Sequence, residues 1–362
     1  MIFAIGIEIG FAYPSFQWNN NAKGQADVTV SVIGMRVIRS GAKYLYVNDL
    51  QIEAQNINGY LADGEDVAIS ARSKPLSSLP IMTRGSSPVD GGNLLLDSSE
   101  MRGLLNAAPA SFAYVRRLMG SEEFINGIDR YCLWVGDSER EDASSIPEID
   151  ARFMAAAESR LRSPKLQTQV LASVPHRFGE IRYRQEPSIV VPSISSGLRE
   201  YIPIGCVGAD VVLTKNAFAV YGAGPWALAL ITSRTHMVWV HAVCGRMRIN
   251  FSYANTIVYN NFPVPPLSDA VKEQLTVAAL RVLDVREYHC EKTLADLYDP
   301  DQMPADLRAA HAAVDELVDS IYSNRGYETD EQRLSDLFAM YERMTSEEAV
   351  KAPAKKTRGI GK

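Results

Sequence analysis

Only four cysteines occur in the chain, Cys132, Cys206, Cys244 and Cys290, and no two form a Cys-x-x-Cys pair. That scatter argues against a zinc site and a disulfide framework, and fits a reducing compartment. Histidine is equally scarce, with five in 362 residues. His236 and His241 stand five apart, so a helix would not bring them to one face as it would a metal pair four apart. Neither Glu-x-Lys nor Asp-x-Lys occurs, which removes the carboxylate–lysine core of the common metal-dependent nucleases. No Gly-x-Ser-x-Gly nucleophile turn is present either. No apolar run reaches the ~18–20 residues that a membrane helix needs. The N-terminus Met-Ile-Phe-Ala-Ile-Gly-Ile-Glu8 is apolar but has no basic lead, so it does not read as a secretory signal. The expectation is a cytoplasmic protein with no membrane partner.

A net charge of −6 disfavours a nucleic-acid partner taken alone, but the charges are unevenly distributed. Residues 151–265 hold 12 Lys and Arg against 5 Asp and Glu, a net of +7. Residues 266–350 hold 8 against 19, and residues 1–150 hold 12 against 19. Phosphate binding follows local positive charge more than the total.

The first 38 residues read as two strands, Ile2–Phe11 and Val28–Ile33, around the polar turn Asn19–Gly24. They look like the final hairpin of a sheet whose other strands are absent. Residues 39–100 read as irregular. Helical patterning is expected at Ser98–Asn106, Ala108–Leu118, Glu148–Arg162 and 167–174, with Gly120–Gly127 a polar loop in which Ser121 caps. Strand-like pieces follow at Ile181–Tyr183, Ile189–Val191, Tyr201–Val207 and Phe218–Tyr221. One long helix is expected from Pro225 to Val243. Pro263-Val-Pro-Pro266 marks a boundary. Beyond it Ser268 caps the first of three helical pieces, 269–287, 304–323 and 329–344. Residues 348–362 read as a disordered basic tail.

The stretch 245–265 is the most informative. Arg248, Asn250 and Ser252 alternate with Ile249, Phe251 and Tyr253, the period of two of a strand, so the three polar side chains are expected on one face. These are side chains that read base edges in a DNA groove. Two chemical motifs compete weakly. Tyr221-Gly-Ala-Gly224 lacks the third glycine and the downstream acid of a dinucleotide loop. Asn260-Asn-Phe-Pro263 only partly resembles the Asn-Pro-Pro-Tyr/Phe loop with which adenine methylases hold a flipped base.

Several ordered segments carry a family resemblance. They are Phe11-Ala-Tyr-Pro-Ser-Phe-Gln-Trp-Asn-Asn-Asn-Ala-Lys-Gly24, Asp90-Gly-Gly-Asn-Leu-Leu-Leu96, Gly120-Ser-Glu-Glu-Phe-Ile-Asn-Gly127 and Cys132-Leu-Trp134. Tyr201-Ile-Pro-Ile-Gly205, Thr235-His-Met-Val-Trp-Val240, Ser252 to Pro263, and Thr293-Leu-Ala-Asp-Leu-Tyr-Asp-Pro300 through Met303-Pro304 continue them. Together they resemble the C-terminal half of MmeI-like (type IIL) restriction-modification proteins. That family joins an endonuclease, an adenine-N6 methyltransferase, a target recognition domain and a helical C-terminal domain. The family's nuclease motif, S-adenosylmethionine glycine motif and Asn-Pro-Pro-Tyr/Phe loop are not found here. The resemblance therefore implies a specificity fragment, from a split subunit, a truncated gene or a mis-started frame. It implies base reading by Arg248, Asn250 and Ser252, with a second determinant upstream near Lys215 and Asn216.

The expected fold class is α+β. A residual methyltransferase hairpin (1–38) leads into a mixed α/β target recognition domain (39–265), an all-α C-terminal domain (266–347) and the tail (348–362). Double-stranded DNA is the expected partner, with Arg116, Arg117, Arg182, Arg184, Arg199 and Arg246 on phosphates. The alternative places Arg116 and Arg117 beside a helix-capping loop and pairs Arg199 with Glu200 or Asp210. No cofactor is expected in this chain, and S-adenosylmethionine is implied for the methyltransferase domain. A separate methyltransferase or nuclease subunit stays open as a partner. The alternatives are the working half of a split adenine-specific methyltransferase, or a non-catalytic module binding through the acidic helical region.

Overall fold

A computed structural model describes residues 5–18, 28–47 and 50–351. The expected turn at Asn19–Gly24 lies outside them, as does most of the expected tail. The first sheet runs in the order Val28–Val37, Ile7–Trp18, Lys43–Val47, Leu50–Ala54. Its central pair is parallel and the outer pairs are antiparallel. The hairpin is thus longer than expected, and the sheet continues past residue 38 through a segment read as irregular. The signal was present in Lys43-Tyr-Leu-Tyr-Val47, a run of β-formers. Glu8 ties the hairpin to the third strand through Arg36 at 2.7 Å and Lys43 at 2.9 Å. Lys43, then Arg36, holds its carboxyl down to about 2.

Three further sheets follow. One orders Gly205–Val207, Ser188–Pro192, Ala217–Tyr221, Met82–Arg84, all antiparallel. A second orders Val211–Leu213, Val115–Met119, Arg130–Leu133, Leu95–Asp97. The third is a small ribbon of Ile194–Ser195, Asn250–Ser252 and Gly245–Met247. The helix expected over 108–118 is replaced by a 3-10 turn, Pro109–Tyr114, and then a strand. The polar loop expected at 120–127 contains a helix, Ser121–Asn126, closed by Gly127 at φ +66°. Ser121 does not cap it, because its hydroxyl donates to the Asn216 carbonyl instead. No named strand forms at Ile181–Tyr183.

The helix expected as one piece from Pro225 is two, Pro225–Thr232 and Arg234–Val243. Ser233 breaks it by taking extended backbone, ψ 160°, and its hydroxyl accepts from the His236 N–H to start the second helix. In the C-terminal region Asp269–Tyr288 starts at the Ser268 cap, and Ala305–Tyr322 and Asp330–Lys351 follow. The last helix runs through residues 348–351, which were expected to be disordered. Among the described residues no helix is long and apolar enough to cross a membrane.

One core unites residues of the 189–264 region with the C-terminal helices. Trp239 is fully buried and packs on Phe262, Phe338 and Tyr341, while its indole N–H donates to the Val258 carbonyl. Polar groups stitch the same junction. Asp315 accepts from the Tyr201 hydroxyl at 2.7 Å and the Arg234 N–H at 2.6 Å. Asp319 accepts from Thr235 at 2.6 Å and pairs with Arg333 at 2.6 Å. A buried Arg160 works differently, donating to the carbonyls of Pro88, Val89, Leu171, Val174 and Arg177 with no carboxylate in hydrogen-bond reach among the described residues. It gathers two chain segments, 88–89 and 171–177, around the end of the helix Pro147–Leu161.

Replacing Arg160 by Met keeps the chain length but strands those carbonyls. Each buried unpaired group costs about 1–3 kcal/mol, so Arg160→Met should lower the urea midpoint by an amount worth at least ~3 kcal/mol. Burial raises the Asp315 carboxyl to about 6, against the hydrogen bonds that Arg234 and Tyr201 donate to it. Its folded value lies above its unfolded one, so its contribution is full below the ordinary carboxylate range and is lost as pH rises through about 6. Thermal melts of Asp315→Asn and the parent should therefore diverge in the variant's favour between pH 5 and pH 7.5. A constant gap would mean that Asp315 does not titrate there.

Candidate nucleic-acid interface

The ribbon is built around a two-residue turn. Met247 pairs with Asn250, leaving Arg248 and Ile249 as the link. Such a link favours a positive φ at its first residue to match strand twist. Arg248 supplies it at φ +58°, a region rare for residues with a β-carbon. The expectation of strict alternation from Arg248 to Ser252 therefore needs correction. The strand begins at Asn250, and only Asn250 and Ser252 share its outer face. Arg248 sits at the tip, exposed, and its guanidinium makes no hydrogen bond or ion pair among the described residues. The side chains of Asn250 and Ser252 are half-buried and likewise unpaired among those residues.

The opposite face is apolar. Phe251 is fully buried, the Arg246 guanidinium lies 4.7 Å from its ring centroid, and Arg246 also stands 3.2 Å from His241 Nδ1. Arg246 thus braces the back of the ribbon. Arg116 also has an internal role, donating to the carbonyls of Ala113 and Val115. Arg117 pairs with Asp129 at 3.1 Å and Arg182 with Glu180 at 2.9 Å, both on the surface. Arg184 lies 5.8 Å from the Tyr221 ring centroid. Arg199 reaches Ser195 Oγ at 3.5 Å, and burial lowers its pKa, while Glu200 pairs with Arg308 instead. These cations lie on several elements, Arg116 and Arg117 on the strand Val115–Met119 and the others within the basic third of the chain.

Lys215 and Asn216 form an exposed turn whose side chains are unpaired among the described residues. Its backbone is held firmly: Arg84 Nε donates to the Lys215 carbonyl at 2.6 Å, and Lys215 N–H donates to Ser86. Ser193 joins this turn to the ribbon. Its N–H and hydroxyl both donate to the Asn216 carbonyl, and its own carbonyl accepts from the Tyr253 N–H at 2.8 Å. The expected upstream determinant and the ribbon thus meet through one residue that the sequence did not single out. Gly197 was missed too. A β-carbon there would overlap the Ile249 carbonyl, so glycine lets the 196–199 turn press against the ribbon tip. The Ser-Ser-Gly run hinted at a turn but not at what it touches.

The residues of both weak chemical motifs hold structural positions. Asn260 and Asn261 are buried and donate to backbone carbonyls of Arg72, Ser70, Thr256 and Ile257, and Phe262 is fully buried in the core. No flipped base could reach them. In the Gly222–Gly224 loop the Trp226 ring stands 2.8 Å from where a Gly224 β-carbon would be, and Pro225 removes the first helical N–H. His236 is fully buried beside the Tyr253 hydroxyl at 3.1 Å, and burial drives its pKa down to about 3. Among the described residues no three His, Cys, Asp or Glu side chains group as metal ligands.

The strained tip gives a test that separates backbone from side chain. Arg248→Gly removes the guanidinium but relaxes the positive φ, so thermal stability should rise by about 1 kcal/mol. Gly197→Ala should do the reverse, costing about 1–3 kcal/mol by forcing the ribbon away from its neighbour. Melting curves of the two variants against the parent check both signs.

Comparison with known proteins accords with this layout. Residues 1–47 match the model of the MmeI DNA-methyltransferase domain, residues 63–266 the MmeI target recognition domain, and residues 267–348 the MmeI C-terminal domain. DNA methyltransferase A of Bacillus subtilis (strain 168) is 40% identical over 345 residues, 95% of this chain and 39% of that protein. A solved structure of the type IIL restriction-modification enzyme MmeI in complex with DNA superposes with a TM-score of 0.85 at 35% identity, over 95% of this chain and 47% of that one. The chain therefore spans less than half the length of either relative. With its ribbon, its shared core and three consecutive domain matches, the chain belongs to the MmeI family of restriction-modification DNA methyltransferases.

Proposed function

We propose that this chain carries the sequence-reading part of a site-specific DNA (adenine-N6) methyltransferase. The observation that carries this reading is the ribbon, where the side chains of Arg248, Asn250 and Ser252 have no internal partner among the described residues and whose end at Tyr253 is joined to the Lys215–Asn216 turn through Ser193. Arg matches the O6 and N7 acceptors of guanine, and Asn matches adenine N6 and N7. Lys215 and Asn216 contribute from the neighbouring turn. Arg117, Arg182, Arg184 and Arg199 contact phosphate, which sets position rather than sequence. Arg116 and Arg246 act by holding backbone and ribbon in place.

Adenine methylation itself belongs to methyltransferase structure beyond the 47 matched residues, on the same polypeptide or on a partner subunit, which would bind S-adenosylmethionine. The first sheet favours that association. Phe11 and Tyr13 are each 40% exposed, Tyr13 stacks on Tyr46 at 4.4 Å, and Val32 lies opposite Tyr13 on the same open face. An apolar sheet face of this kind belongs under helices.

Binding of random and selected duplexes over a salt series checks the reading. Affinity should fall steeply with salt, and Arg117→Ala should lower the slope by about one. Arg248→Ala should change the preferred base at one position, worth on the order of 1–3 kcal/mol. Equal weakening on every sequence would make Arg248 a phosphate contact. Tritiated methyl transfer to DNA should require both this chain and a methyltransferase portion.

A further inference from the structure

We propose that Met247 is a base-reading residue that contacts the 5-methyl group of thymine. The inference rests on the DNA-reading function above and adds a residue to it. Met247 and Asn250 are opposed in the ribbon register, so their side chains stand on the same face. Opposed side chains in such a pair lie roughly 5 Å apart, close enough to address the same or adjacent base pairs. Asn250 supplies the polar half of that face and Met247 the apolar half. The only apolar feature on the major-groove edge of any base pair is the thymine methyl.

The position does not suit a packing role. Met247 is 61% exposed at the end of the strand Gly245–Met247, and no core cluster includes it. A single exposed apolar side chain is ordinary on a surface, so exposure alone decides nothing. The pairing with Asn250 decides it. Phe251 and Arg246, one step along the same two strands, face the other way, with Phe251 fully buried, so the ribbon is clearly two-sided. The flexible thioether can also follow a groove wall that a branched side chain would not. Leu198 is similarly exposed nearby but lies beyond the end of the paired strand Ile194–Ser195.

Uracil differs from thymine only by the missing methyl, and it isolates the contact. Preferred duplexes are first selected from a random pool with the 362-residue chain, and each thymine is then replaced singly by uracil. At one position the parent should bind the uracil duplex about fourfold more weakly, the equivalent of one buried methylene. Met247→Ala should bind thymine and uracil duplexes equally there while keeping the rest of the site and an unchanged salt slope. Met247→Leu should restore the discrimination. A parent with no sequence preference overturns the DNA-reading function and this assignment together. A parent that has a preferred site but is indifferent to every thymine-to-uracil change, or whose site holds no thymine, overturns the Met247 assignment alone. So does a Met247→Ala variant that still discriminates.

Discussion

The peptide of Ser193 is the point on which the proposed reading surface depends. Its hydroxyl donates to the Asn216 carbonyl, its N–H is shared between that carbonyl and the Ser121 hydroxyl, and its carbonyl accepts from the Tyr253 N–H. A residue bonded in both directions cannot move without breaking one side. The Lys215–Asn216 turn and the ribbon are therefore tied together, although 36 residues lie between Asn216 and Tyr253 in the chain. Reading bases at fixed spacing requires that rigidity, because a side chain displaced by an ångström loses a bidentate contact.

Behind the ribbon the support is layered. Phe251 buries its ring under the Arg246 guanidinium, and the helix Arg234–Val243 beneath carries Trp239 into the core shared with the C-terminal helices. Asp315 and Asp319 then clamp the start of that helix through Arg234 and Thr235. The acidic helical region thus contributes internal structure, with carboxylates aimed at the recognition region.

Much of this organisation was legible in local sequence. The Ser268 cap and the helix after it were readable because a cap and an amphipathic period are properties of adjacent residues. The helix Pro147–Leu161 was readable for the same reason. The misreadings share a cause. Val115–Met119 has helix-compatible composition but pairs with two strands, one contributed by residues 211–213. Ser233 has no local marker strong enough to break an apolar run, yet its cap splits one expected helix into two. Lys43–Val47 carries strand residues, but its membership of the first sheet depends on a parallel pairing with Ile7–Trp18.

For the candidate site, the sequence by itself determined which chemical groups are available: guanidinium, carboxamide and hydroxyl at Arg248, Asn250 and Ser252, with a second pair at Lys215 and Asn216. Side-chain chemistry is local, and so is the period of two that puts Asn250 and Ser252 together. Tertiary structure alone decided that Arg248 belongs to a turn, that Arg246 faces backward, and that Met247 stands beside Asn250. Those outcomes follow from hairpin register, which is set by hydrogen bonds between separate strands and by close packing at Gly197, and no stretch of adjacent residues encodes them.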